Sequence, residues 1–432
     1  MELFKKDFML GAATAAHQVE GNNTNSDYWI MENIPHSVFV EPSNNAVEHY
    51  NRYKEDIDYL KNAGLNAYRF SIEWARIEPE EGKWDEREME HYSNVIDYCI
   101  SKGIEPVVTI HHFSSPAWLI TKGGWESPDV VTYFARYADY VAKHIRGRVK
   151  YVCTINEANM RLQMSFLIKD IMARMTQNDS KVGNEEGSVQ VGVNLSNNSS
   201  DMMAGMMETA QAFKIVDPRK VANFVSQCTP EGDILVMKAH QAAKKAIKEI
   251  DENIQVGLTL SLHDIQSVNG GEEHAKQAWD DEFVHYLPYI EEDDFLGVQC
   301  YTRKVFDKDG ANSAYETGAK TQMGYEDYPE GIVNVVRKCA KDFKGNLIVT
   351  ENGIATSDDD RRCSYIEEAV TGLAQCIKEG IKLKGYFAWS LLDNFEWQKG
   401  FSMTFGLIAV DRSTMKRTPK RSLSVLGSFI EK

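Results

Sequence analysis

The sequence predicts an α/β fold, a single (β/α)8 TIM barrel with extended βα loops, spanning 1–432 as one domain. Three observations carry this reading. Eight short β-branched or aromatic runs recur along the chain, charged amphipathic segments separate most of them, and 432 residues suit one barrel with elaborated connections. Such alternation points to parallel βαβ units whose strands are buried on both faces. An open doubly wound sheet fits less well, because no Gly-x-Gly-x-x-Gly turn follows the first strand. No Gly-x-x-x-x-Gly-Lys-Ser/Thr loop is present either, so nucleotide phosphate binding has no visible support.

The first strand is placed at Phe8–Ala13. Lys5 and Lys6 give this stretch a loose likeness to a secretory signal, but it is short and Gly11 and Thr14 interrupt it, so it reads as a buried strand. A helix over Ala46–Ala63 follows. There Tyr50, Tyr53, Ile57 and Leu60 form one apolar stripe, with Glu48, Arg52, Lys54 and Glu55 on the other faces. The second strand, Ala67–Ile72, and the third, Pro106–His111, are separated by a helix over Arg87–Ser101; a helix over Pro128–Arg146 leads to the fourth strand, Tyr151–Ile155.

From about 160 to 230 the rhythm breaks. This divergent stretch is rich in Met, Asn and Ser, including Asn194-Leu195-Ser196-Asn197-Asn198-Ser199-Ser200, and is expected to be a long excursion with one or two short helices. Lying after a strand, it belongs to the barrel's active face. Its Asn-x-Ser triplets read as solvated loop, and Met202, Met203, Met206 and Met207 read as the buried side of a helix. Regular alternation then resumes. A helix over Gly232–Ile250 precedes strands Gln255–Leu260 and Phe295–Cys300, and helices over Gly331–Phe343 and Ser364–Lys378 flank the seventh strand, Leu347–Thr350, before the eighth, Gly385–Trp389.

Composition narrows the function. With 64 acidic and 48 basic side chains the net charge is −16, which argues against nucleic acid or an anionic membrane as the main partner. No apolar run approaches the roughly 18 residues a spanning helix needs. Seven cysteines without a Cys-x-x-Cys pair exclude a disulfide framework and a cysteine zinc site, and suit a reducing, cytoplasmic setting. The eleven histidines show no His-x-His or His-x-x-x-His spacing, so a metal-dependent barrel hydrolase has no ligand set.

A barrel presents its chemistry where strands end at the C-terminal rim. Two strands end in carboxyls: the fourth runs into Thr154-Ile155-Asn156-Glu157 and the seventh into Thr350-Glu351-Asn352-Gly353. A lone glutamate after a strand is more often a cap or a surface ion pair. Two, each beside an asparagine, suit acid/base and nucleophilic work on an acetal. The eighth strand independently runs into Trp389-Ser390-Leu391-Leu392-Asp393-Asn394-Phe395-Glu396-Trp397, which pairs aromatic planes for sugar C–H faces with a carboxylate for hydroxyls.

These segments resemble glycoside hydrolase family 1, the retaining β-glucosidase and β-galactosidase family. The resemblance runs from Phe8-Met9-Leu10-Gly11-Ala12-Ala13-Thr14-Ala15-Ala16-His17-Gln18-Val19-Glu20-Gly21, through Tyr68-Arg69-Phe70-Ser71-Ile72-Glu73-Trp74, His111-His112-Phe113 and Val349-Thr350-Glu351-Asn352-Gly353, to Asp393-Asn394-Phe395-Glu396-Trp397. It covers nearly the whole chain except about 160–230, and the motifs occur in the family's order. It implies that Glu351 is the nucleophile and Glu157 the general acid/base. It further implies that Gln18, His112, Asn156, Trp389, Glu396 and Trp397 hold the non-reducing sugar, while Tyr301 and Arg69 flank the nucleophile. Neighbours on a strand point oppositely, and the resemblance selects His112, because Phe113 follows it as the family's aromatic does; His111 is read as a packing residue. Arg69 and Tyr301 are expected to favour ionised Glu351, and a second carboxylate nearby to keep Glu157 protonated.

The implied reaction is hydrolysis of a terminal β-D-glucosyl residue, with galactosyl or fucosyl residues as further substrates, through a covalent intermediate. No metal or cofactor is implied, the partner is a small-molecule β-glycoside, and homo-oligomerisation is left open. Branches acting on 6-phosphorylated sugars replace the glutamate of the Asn-Phe-Glu-Trp segment; Glu396 is retained here, which implies unphosphorylated substrates. Ala158, Gln299, His17 and Leu10 depart from the family's usual Pro, Asn, Tyr and Trp, and the first two bear on positioning near the reacting centre. Two alternatives compete: a transglycosidase using the same double displacement, and a non-catalytic sugar-binding barrel, which retention of both carboxyls disfavours.

Overall fold

The computed structural model describes residues 2–176, 189–194 and 199–431. Eight parallel strands close into a (β/α)8 barrel. They are Met9–Ala13, Ala67–Ser71, Glu105–Thr109, Tyr151–Cys153, a fifth in two segments, then Phe295–Gln299, Asn346–Asn352 and Leu383–Trp389. The first strand pairs with both the second and the eighth. The fifth makes the last joint by changing partners at Leu258: Gln255–Gly257 pairs with the fourth strand and Thr259–Ser261 with the sixth. The continuous run Gln255–Leu260 expected from sequence is therefore broken, because its two ends serve different neighbours.

Every strand buries both faces, which is why each reads as a near-continuous apolar run. Met9, Ala13, Ala67, Val107, Cys153, Phe295, Ile348 and Phe387 pack together inside the barrel. Their strand neighbours Leu10, Ala12, Tyr68, Val108, Val152, Leu296, Val349 and Tyr386 pack outward against the helices. This is the two-residue period of a β-strand.

The long helices lie close to their sequence-read positions, with shifts that local chemistry explains. His49–Ala63 starts three residues after the expected Ala46, since Ala46 (φ 43°) and Glu48 (φ 55°) are left-handed and cannot be helical. Asp359–Lys378 starts earlier than Ser364, because Asp358 caps it by accepting from the Asp360 and Arg361 amides. The excursion carries two helices, Met160–Thr176 and Ser199–Ala212, longer than expected. In the second, the methionine expectation is overturned: Met203, Met206 and Met207 are exposed at 56, 45 and 58%. The helix packs through Gly205, Thr209 and Ala210 instead, and Gly205 sits where a Cβ would meet the His36 carbonyl. Residues 195–198 of the Asn/Ser run lie outside the described residues.

Short rim elements carry no sequence periodicity and escaped the reading. They include a small sheet of Asp264–Ser267, Arg303–Asp307 and Gly310–Ala311, and a hairpin of Ile408–Asp411 with Lys416–Pro419. Among the described residues, no helix is long and apolar enough to cross a membrane.

Candidate active site

Arg69, on the second strand and 1% exposed, organises the mouth of the barrel. Its Nη1 donates to Glu351 Oε1 (2.7 Å) and to the Thr350 carbonyl (3.2 Å), its Nη2 to Asn156 Oδ1 (2.6 Å), and its Nε to Thr109 Oγ1 (3.0 Å). One guanidinium thereby ties the second, third and seventh strands to the exit of the fourth.

Glu351 projects from the seventh strand, where the register with the sixth shifts between Val349 and Glu351. Its second oxygen accepts from the Tyr301 hydroxyl at 2.7 Å. Asn352 turns outward, donating to the Cys300 carbonyl (2.7 Å) and accepting from Tyr386 (3.0 Å). Gly353 is required next, since a Cβ there would lie 2.0 Å from the Trp389 carbonyl oxygen.

Glu157 leaves the fourth strand with φ at 45°, a region unfavourable to residues with a Cβ. Its amide donates to Thr259 Oγ1 (2.8 Å), and the next amide, of Ala158, to the Thr259 carbonyl (2.9 Å), so the fifth strand holds it there. Gln299 donates to Asn156 Oδ1 (2.8 Å) and Thr259 Oγ1 (3.1 Å). Asn156 in turn donates to His112 Nε2 at 3.1 Å, which assigns the imidazole proton to Nδ1, an atom left without a protein partner. His111 points away, against Trp125 and Phe224, with Nε2 on Ser115 Oγ.

The pocket at the barrel mouth is lined by His112, Asn156, Glu157, Tyr301, Glu351, Trp389, Glu396 and Trp397. The remaining sequence-read site residues stand just behind it. Gln18 donates to the Phe395 carbonyl (2.7 Å) and to Glu396 (3.3 Å), leaving its own Oε1 unpartnered, while Arg69 supports the floor. The His112 ring lies 5.7 Å from Trp389 and 6.0 Å from Trp397, near parallel to both, so one wall is aromatic. Phe113, Gln190, Val191 and Phe405 also line the pocket and had not been assigned to it. Phe113 follows His112 directly and was legible as a neighbour; Gln190 and Val191 fall in the divergent excursion, where no motif pointed to them.

Among the described residues, three buried carboxyls line this pocket and the Arg69 guanidinium stands behind it. Burial, then the charge of Glu351, raises the Glu157 pKa well above the ordinary carboxylate value. Burial raises Glu351 too, and the donors on Arg69 and Tyr301 pull it back without cancelling the desolvation. Their pull favours the ionised form, as expected from sequence, yet burial outweighs it. Glu396 is raised to about 8, by burial and by Glu351. Burial keeps the His112 imidazole neutral and the Tyr301 phenol protonated. One carboxylate balances Arg69, and the donor-rich Glu351 is best placed to be that anion while Glu157 holds a proton. Among the described residues, no group of three or more His, Cys, Asp or Glu is arranged to hold a metal ion.

Comparisons with known proteins identify the family. A family model, Glycosyl hydrolase family 1, matches residues 1–182 and 285–432; the unmatched interval starts and ends later than the 160–230 divergence read from sequence. The chain is 29% identical to Beta-glucosidase A of Thermotoga maritima, over 97% of this chain and 96% of that protein. It is 30% identical to a Beta-glucosidase of Agrobacterium sp., over 97% and 93% respectively. Among solved structures, the beta-glycosidase BGL167 superposes with a TM-score of 0.86 at 43% identity, covering 99% of this chain and 97% of that one.

Proposed function

The chain belongs to glycosyl hydrolase family 1 and is a glycoside hydrolase, and from that premise we propose that it releases terminal, unphosphorylated β-D-glucosyl residues with retention of configuration. The observation that carries the proposal is the pairing on Glu351: Arg69 and Tyr301 each donate to one of its oxygens at 2.7 Å, in the pocket that also holds Glu157.

Glu351 attacks the anomeric carbon as Glu157 passes its proton to the departing glycosidic oxygen, giving a glycosyl ester on Glu351 and a free alcohol. Glu157, now a carboxylate, takes a proton from water, and the hydroxide so formed replaces Glu351 at the same carbon. Two inversions give net retention, a scheme that works with carboxyls about 5–5.5 Å apart. The free His112 Nδ1–H and the open Gln18 Oε1 supply a donor and an acceptor for sugar hydroxyls beside the Trp389 and Trp397 rings. Glu396 is buried and accepts from the neutral Gln18 amide, with no cation beside it among the described residues, which is hostile to a phosphate on the sugar. The seven free cysteines, six of them buried, support a reducing, cytoplasmic setting.

A kinetic screen of aryl β-glycosides tests this reading. The glucoside is expected to turn over best or alongside the galactoside and fucoside, with the 6-phosphoglucoside far slower. Faster cleavage of the 6-phosphoglucoside than of the parent glucoside would overturn the substrate assignment.

A further inference from the structure

The unmatched excursion lines the pocket with Gln190 and Val191, and the first of these is polar. Gln190 is 5% exposed and makes three hydrogen bonds. Its Oε1 accepts from the Tyr301 amide at 2.5 Å, and its Nε2 donates to Ser261 Oγ (3.0 Å) and to the Leu262 carbonyl (3.1 Å). Two of these partners bear on the catalytic pair. Tyr301 places its hydroxyl on Glu351, and Ser261 lies close enough to Glu157 to favour its carboxylate. Ser261 is otherwise held only through its backbone: its amide donates to Asn159 Oδ1 (2.9 Å), and its carbonyl accepts from Asn159 (2.7 Å) and Gln163 (2.8 Å).

We propose that Gln190 is a positioning residue of the glycosidase reaction, a single amide that braces the supports of both catalytic glutamates. Its amide hydrogen occupies the Ser261 oxygen, which directs the Ser261 hydroxyl hydrogen toward Glu157. Its carbonyl oxygen fixes the backbone of Tyr301, and with it the phenol that steadies Glu351. The amide type matters, since only a side chain that donates at one atom and accepts at the other satisfies both neighbours. The family match stops at 182 and resumes at 285, so Gln190 and Ser261 both lie in the part of the chain it leaves out.

The proposal rests on the glycosidase reading and makes a directional statement about pH. Glu157 is faced by Glu351 and Glu396, by the Arg69 guanidinium, by the phenols of Tyr301 and Tyr325, and by Ser261. Of these, Ser261 and Arg69 favour the carboxylate; the alkaline limb of kcat/KM follows Glu157 losing its proton. Gln190→Leu removes all three hydrogen bonds at similar size, Gln190→Glu keeps the acceptor for Tyr301 but turns the Ser261 hydroxyl toward itself, and Ser261→Ala deletes the relay without touching the excursion.

In the full chain with an aryl β-glucoside, Gln190→Leu is expected to lose about tenfold in kcat/KM, the worth of one hydrogen bond at the reacting groups. Gln190→Glu is expected to recover part of that rate while its alkaline limb moves to higher pH, and Ser261→Ala to move the limb the same way. Unchanged limbs in both Gln190→Glu and Ser261→Ala would overturn the proposal, as would a Gln190→Leu variant within twofold of the parent. Should Gln190→Leu or Gln190→Glu fail to fold, the limb of Ser261→Ala decides alone. A parent enzyme inactive on every β-glycoside would remove the functional reading first, and this inference with it.

Discussion

At the scale of single residues, the site works by giving chemically identical side chains different surroundings. Glu351 has two donors on its oxygens, and Glu157 has a like charge nearby. Glu351→Gln should therefore abolish turnover on every substrate, since no group replaces the nucleophile. Glu157→Gln should fail chiefly with leaving groups that need a proton and retain more activity on acidic phenols; equal losses across leaving groups of very different acidity would contradict the acid/base role. Glu396 allows a prediction on stability. Its pKa is raised from 4.5 to about 8, so the folded state binds this proton more tightly than the unfolded chain. The stabilisation is complete below 4.5 and is lost as pH rises toward 8. Glu396→Gln should accordingly raise Tm relative to the parent, with a gap that widens across that interval, while sugar binding collapses. A gap that does not grow with pH would show that the carboxyl is not desolvated as described.

At the scale of elements, strands and motif ends were legible because their physics is local. A run buried on both faces must be apolar, and a titratable residue at the end of such a run has little to do but face the rim. That logic pointed to Glu157 and Glu351, and the aromatic run after the eighth strand to Trp389 and Glu396; alternation set His111 and His112 on opposite faces, and the family resemblance through Phe113 chose His112. It could not find Gln190 or Val191, which reach the pocket from a segment with no periodicity, nor the small sheet over 264–311, whose strands are only two to five residues long. The methionines of Ser199–Ala212 misled because apolar residues normally mark the buried side, whereas this helix approaches its neighbour closely through Gly205. The strap over 189–194 is held the same way. A Cβ on Gly192 would lie 2.5 Å from the Glu396 carbonyl oxygen, and the Gly192 carbonyl accepts from the Gln398 amide at 3.2 Å. Gly192→Val should lift the strap at an overpacking cost of about 1–3 kcal/mol. It is expected to raise KM more than it lowers kcat, because the role proposed for Glu396 is in sugar binding and not in the bond-breaking step. An unchanged KM would place the strap outside the sugar site.

At the scale of the whole molecule, the barrel needs its chain ends fastened to hold the rim in shape. Arg417, in the late hairpin, donates from Nε to Asp56 Oδ1 (2.8 Å) and from Nη2 to Asp56 Oδ2 (3.1 Å), and His49 adds a third contact to Asp56 at 2.7 Å. All three side chains are buried. Burial alone would raise Asp56, but His49 and Arg417 outweigh it and hold the pKa below 3.8. Its contribution is therefore present above 3.8 and lost as pH falls through the lower, folded value. Arg417→Met leaves a buried carboxylate with one partner fewer and should cost about 3 kcal/mol. It should also move acid unfolding to higher pH, with catalysis in the surviving folded enzyme nearly intact. A large kcat loss without a Tm change would mean the clasp acts on the site and not on the fold.

The division of labour between the two glutamates is tested most directly by trapping the glycosyl ester. Incubation with a 2-fluoro-β-glucoside bearing an activated leaving group, followed by proteolysis and mass spectrometry, should return one labelled peptide with the sugar on Glu351. A label on Glu157, on Glu396 or on any other side chain would contradict the assignment of the nucleophile, and with it the mechanism built on Arg69 and Tyr301.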